Sequence, residues 1–136
     1  MISQGKIIDS NGVDVFFPRQ TEDEFLTSSY GTNSEESIIN GNYHSYDISS
    51  VTINASEFSA RALYIDGKLS SISLYPNKSF SWRNWSEQNE LKKKEILNDF
   101  LTHELGAPPY KYMWGSVESI FDRKSGFSYV LIKYNE

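Results

Sequence analysis

His103 and Glu104 stand side by side in the stretch HELGAPPYKYMWG, residues 103–115. A His-Glu pair is the first half of H-E-x-x-H, in which two histidines one helical turn apart hold zinc and the glutamate acts as base. The second half is missing. Leu105, Gly106 and Ala107 follow, and Pro108-Pro109 close the helix just beyond. His44 is the one other histidine and cysteine is absent, so no metal site and no cofactor is expected. No G-x-S-x-G elbow presents a serine nucleophile. Glu104 lies two turns beyond Leu97 on nearly the same helix face, tilted toward the core, where a carboxylate can serve as an acid. Asp9 and Asp14 form a second pair of carboxylates. A two-residue turn at Asn11-Gly12 sets them opposite one another, which calls for a cation or, more simply, a bulge.

Most of the 103–115 stretch reads as the end of a helix. Gly106 can take the left-handed conformation after the last turn, and His103 suits the negative helix end when protonated. Tyr110, Tyr112 and Trp114 then alternate, so their rings share one face of a beginning strand. With Trp82 and Trp85 they compose a candidate aromatic platform. Together with Glu104 it would serve a small ligand or a carbohydrate, as a binder or an enzyme.

Charge provides a second candidate. The chain has 136 residues and a net charge of −5, yet Gln20 to Ala60 contains neither Lys nor Arg. That segment holds Glu22, Asp23, Glu24, Glu35, Glu36, Asp47 and Glu57, a net −7, which leaves +2 for the rest. Nucleic acid is excluded as a partner because its phosphates would be repelled. A basic protein is the complement, met through Glu22, Asp23, Glu24, Glu35, Glu36 and Asp47. A second copy of the chain is also an admissible partner.

These residues need elements to position them. Lys6–Ser10 and Val13–Phe17 flank Asn11-Gly12, a hairpin signal expected to give a type I′ turn with Ile7 opposite Phe16 and Ile8 opposite Val15. Thr21 followed by Glu24 is a capping box, so a short acidic helix begins at Glu22, with Gly31 as its stop. Thr32–Ser37 reads as a mobile loop. Tyr43–Ile48 alternates and Val51 and Ile53 shift parity, which places a bulge at Ser49-Ser50. Phe58–Ile65 and Lys68–Tyr75 flank Asp66-Gly67. In an unbroken register Ser71, Ser73 and Tyr75 share a face with Ala60, Ala62 and Tyr64, and a helix is expected over that small face. A long helix runs from Ser86 to Leu105 with Leu91, Ile96, Leu97, Phe100, Leu101 and Leu105 as its apolar face. Gly115–Phe121 and Phe127–Tyr134 form a last hairpin. The final strand is apolar on both faces, which marks it as central.

The C-terminal part of the chain resembles a set of small bacterial proteins. The shared pattern is Trp82 and Trp85 before Ser86-Glu87, a long helix ending in Leu105-Gly106, then Pro108-Pro109, Trp114-Gly115 and a closing hairpin. Toxin-neutralising immunity proteins are common among small acidic proteins of this kind. The resemblance therefore implies binding rather than catalysis, and it carries no catalytic residue across.

The sequence thus predicts one α+β domain with an antiparallel sheet of about six or seven strands. One long helix of the C-terminal half packs on one face, and a short helix lies near the N-terminus. The expected function is non-enzymatic recognition of a basic protein, a toxin domain on the immunity-protein reading. No membrane partner is expected, because no apolar run approaches the ~20 residues of a membrane helix. Without cysteine or a basic–apolar leader, a cytoplasmic location is expected.

Overall fold

The computed structural model describes residues 1–76, 87–122, 124 and 127–135, and the backbone alone for 87–91. The chain order is β1 (Ile2–Ser3), β2 (Lys6–Ile8), β3 (Asp14–Phe16), α1 (Glu22–Thr27), α2 (Ser29–Thr32), β4 (Glu35–Asn40), β5 (Tyr43–Ile53), β6 (Ser56–Ile65), β7 (Lys68–Pro76), α3 (Glu87–Leu105), β8 (Tyr110–Tyr112), β9 (Gly115–Asp122) and β10 (Phe127–Tyr134). This is the α+β class. Seven strands form one antiparallel sheet in the order β4-β5-β6-β7-β10-β9-β8, and β1-β2-β3 form a small second sheet. β10 sits between β7 and β9, as its two apolar faces require.

Turn chemistry sets the registers. Asp66 and Gly67 both have positive φ, 53° and 77°, the type I′ geometry that joins twisted strands directly. Asn54 and Ala55 do the same between β5 and β6 at 47° and 66°. Alanine is disfavoured there, so the sequence gives little warning of that turn. At Asn11-Gly12 only Gly12 is left-handed, with φ 81°. The Asp9 carboxylate captures the Asn11 and Val13 N–H groups, each at 2.9 Å, and the Gly12 N–H donates to the Asp9 carbonyl at 3.0 Å. That local competition replaces the expected type I′ turn with a bulged one. Ile7 still faces Phe16, but Ile8 faces Asp14 rather than Val15.

Three further expectations are corrected. A bulge between Leu63 and Tyr64 shifts β7, so Ala62 faces Ile72 and Ala60 faces Leu74, while Ser71, Ser73 and Tyr75 move to the other face. The face beside Ala60 and Ala62 is therefore apolar and buried, not small and serine-rich. Gly31 does not stop α1. Ser28 caps a second short helix, α2, that contains Gly31. A Cβ at Gly31 would lie 1.7 Å from the Phe25 carbonyl oxygen, so the glycine is there for close approach. Finally, Glu35–Asn40 is a strand, β4, which begins inside the stretch Thr32–Ser37 that was expected to be a loop. The bulge foreseen at Ser49-Ser50 is present, between Ile48 and Val51.

α3 packs over β9 and β10, and Leu97 and Leu101 are fully buried. Each such side chain contributes roughly 1.5–3 kcal/mol by leaving water. Phe100 packs on Phe58 with ring centroids 5.0 Å apart. Ile96, expected on the apolar face, points outward and is exposed. The helix start expected at Ser86 and the contacts of Leu91 fall outside the described residues. At the other end of the same sheet face, Phe16, Phe25, Tyr46 and Tyr64 pack ring against ring at 5.5–6.0 Å. Phe25, from α1, stands among the other three. The acidic helix is thereby fixed to β5 and β6.

Candidate protein-binding edge

α1 begins as its capping box dictates. Thr21 Oγ1 accepts from the Glu24 N–H and the Glu24 carboxylate accepts from the Thr21 N–H, both at 3.1 Å. Glu22 then falls on the helix side that meets β5. Its Oε2 accepts the Tyr46 hydroxyl and lies 2.6 Å from His44 Nδ1. His44 Nε2 is 3.0 Å from the Gly41 carbonyl. Both ring nitrogens face oxygen acceptors, so only the imidazolium, with two N–H donors, satisfies both. The bond to Glu22 accordingly holds His44 above its ordinary value, with the Gly41 carbonyl and the charge of Glu36 adding to it against a smaller desolvation effect. Burial, then the Glu22 bond, pushes the Tyr46 hydroxyl well up, so it stays a donor.

The six predicted partner-binding carboxylates therefore do not act alike. Glu22 is turned inward onto Tyr46 and His44, and Glu24 closes the cap. Asp47 is held by Arg61, with Arg61 Nε 2.7 Å from Oδ1 and Nη2 3.2 Å from Oδ2. Asp23, Glu35 and Glu36 are exposed, and among the described residues no Lys or Arg pairs with them. Glu35 and Asp47 are cross-strand neighbours, as are Glu36 and Tyr46, so the carboxylates are divided between the two faces of the β4–β5 edge. The edge of the sheet, rather than either face, is what Glu35 and Glu36 share, while Asp23 stands on α1.

β4 is that edge, and the sequence reading did not include it. Its outer side carries no strand among the described residues. All six of its residues are exposed, including Ile38 at 55% and Ile39 at 49%, with Tyr43 beside them at 50%. The signal was available: Gly41-Asn42 lies between two apolar-containing runs, and Gly41 at φ 60° makes the turn. The opposite edge is different. β8 has only three residues, follows Pro108-Pro109 and carries Lys111, which are the devices that blunt a sheet edge.

The aromatic candidates are arranged as follows. Trp82 and Trp85 lie outside the described residues. Tyr110 is buried and its hydroxyl donates to the Gly106 carbonyl at 2.9 Å. Tyr112 stacks on Trp114, centroids 5.2 Å apart and planes 7° off parallel, and Trp114 packs on Tyr134 at 5.5 Å. Gly5 lies against Trp114, where a Cβ would come within 2.9 Å of the ring. Trp114 thus ties the N-terminal sheet to the main one. Glu104 accepts from Asn54 Nδ2 at 2.8 Å on both oxygens and lies 3.5 Å from the Met1 ammonium, linking the end of α3 to the β5–β6 turn.

Of the two carboxylates foreseen as opposed in the first hairpin, Asp9 is buried. It accepts the Tyr30 hydroxyl at 2.5 Å as well as two backbone N–H groups. Burial alone would raise it, but these bonds reverse the effect and leave it below the usual value. Asp14 lies 3.5 Å from Lys6 instead. Among the described residues no three His, Asp or Glu side chains gather as metal ligands, and no helix is long and apolar enough to cross a membrane.

A cleft of ≈460 Å³ lies near the foot of β4, lined by Glu35, Asp47, Arg61, Ser59 and Tyr75 among others. A second, of ≈530 Å³, lies between the end of α3 and β8–β9, lined by Asn98, Thr102 and Tyr110 among others. Neither is lined by Tyr112 or Trp114. No family model, no curated protein and no solved structure matches the chain.

Proposed function

We propose that the protein is a non-enzymatic binding protein that recognises a basic protein through the acidic β4 edge. The observation that carries this reading is the open, six-residue edge strand, whose exposed Glu35 and Glu36, with Asp23 nearby in the chain on α1, have no cationic partner among the described residues. Such a surface attracts a cationic partner before contact and raises the association rate. The resemblance of the C-terminal part to small bacterial proteins adds that the partner is a cationic toxin domain and the protein its immunity factor, acting in the cytoplasm. Occlusion of the toxin's phosphate-binding cleft by the carboxylates is the mechanism this implies. Nucleic acid is not the partner, since the same charges repel it.

The test is capture from native lysate at two ionic strengths. Screening shortens from ~8 Å at physiological salt to ~3 Å at 1 M, so capture through exposed carboxylates weakens sharply. A partner retained equally at both salt concentrations would rule out recognition led by charge.

A further inference from the structure

Resting on that reading, we infer the form in which the partner arrives: an extended basic segment that adds to β4 as an eighth, antiparallel strand of the main sheet. β4 offers three things at once. Among the described residues no strand bonds its outer backbone groups. Two adjacent β-branched side chains, Ile38 and Ile39, stand exposed on opposite faces of the sheet. Two adjacent carboxylates, Glu35 and Glu36, stand one on each face ahead of them, separated from the isoleucines by the bulge at Ser37. An added strand alternates between the faces as β4 does. It therefore meets one isoleucine and one carboxylate on each face. The complementary segment, read antiparallel, has two neighbouring apolar residues followed directly by two neighbouring basic residues, as the four consecutive residues His44 to Asp47 of β5 match the same positions across the bulge.

A second copy of the chain fits less well. Pairing β4 with β4 brings together two segments of net −7 each, which repel. The other end of the sheet gives the internal comparison, since β8 is short and blunted whereas β4 keeps its edge open and marks it with one sign of charge.

The experiment uses the full chain and a capped synthetic peptide, Thr-Val-Ile-Lys-Arg-Thr, followed by fluorescence anisotropy at low salt and by amide hydrogen exchange. Two further peptides carry N-methyl groups on one or the other set of alternate residues, which removes N–H donors on one edge at a time and leaves the charges unchanged. Strand addition predicts three results. The unmodified peptide binds and protects β4 amides. One N-methyl set weakens binding by about tenfold or more while the other is tolerated, because only one edge of an added strand bonds to the sheet. The double variant Ile38→Ser/Ile39→Ser, which lies on an exposed strand and leaves the core intact, weakens the peptide further. Equal binding of all three peptides would overturn strand addition and leave recognition by charge standing. No binding of the unmodified peptide overturns the inference. So does concentration-dependent self-association that protects β4 without peptide, since the edge would then belong to a second copy.

Discussion

Glu22 is the carboxylate whose removal separates structure from recognition most cleanly. It lies in the acidic segment by sequence, but its side chain is only 16% exposed and accepts the hydroxyl of Tyr46, which is itself 4% exposed. Glu22→Ala leaves that hydroxyl without its charged acceptor. A hydrogen bond to a charged group is worth roughly 1.5–3 kcal/mol, and an unsatisfied buried donor costs a similar amount, so the loss is about 2 kcal/mol. In a domain of this size that lowers Tm by about 8 °C. The pH dependence has a definite sign. His44 in the folded protein titrates above its unfolded value of about 6.5. Its contribution is therefore full below that value and is lost as pH climbs through the raised folded value. Glu22→Ala, lacking the partner, is penalised more at pH 6 than at pH 9. Urea denaturation of wild type, Glu22→Ala, Tyr46→Phe and the double variant at both pH values measures this directly. The double variant is less destabilised than the two single losses combined, because no donor is left stranded. If Glu22→Ala proves as neutral as Glu36→Lys at both pH values, the inward role of Glu22 is wrong.

Other consequences are simpler. Gly31→Ala forces a Cβ to 1.7 Å from the Phe25 carbonyl oxygen, so α1 and α2 must separate. A loss of about 2–3 kcal/mol follows, read as a lower denaturant midpoint. Asp47→Ala breaks an ion pair whose partners are 47% and 41% exposed, and costs less than about 1 kcal/mol, diminishing with added salt.

The sequence specified much of the scaffold because the decisive signals are local. Thr21 and Glu24 announce the cap of α1, Asp66-Gly67 the turn between β6 and β7, and Gly106 with two prolines the end of α3. The two apolar faces of Phe127–Tyr134 mark the central strand. Misreadings arose where one side chain competes with the backbone or where a bulge shifts parity. Asp9 rewrites the first turn by binding two N–H groups. The bulge by Tyr64 exchanges Ser71 and Ser73 for Ile72 and Leu74 on the core face. β4 escaped because its polar first half, Glu35 to Ser37, looks like loop, and only its pairing with β5 makes it a strand. The acidic segment was legible as a charge excess. Which carboxylates point outward was not, because that depends on Tyr46, His44 and Arg61 reaching Glu22 and Asp47 across the fold.

The central claim is that the open acidic edge recognises a cationic protein, and one comparison addresses it directly. Wild type and the variant Asp23→Lys/Glu35→Lys/Glu36→Lys are immobilised side by side, their far-UV spectra and melting curves shown to agree, and partner capture from native lysate at low salt is quantified. These three side chains are exposed, so each reversal is expected to cost no more than about 0.5 kcal/mol and the fold to survive all three. Loss of capture in the variant is the predicted result. Capture undiminished by reversal of all three charges would contradict recognition through this edge.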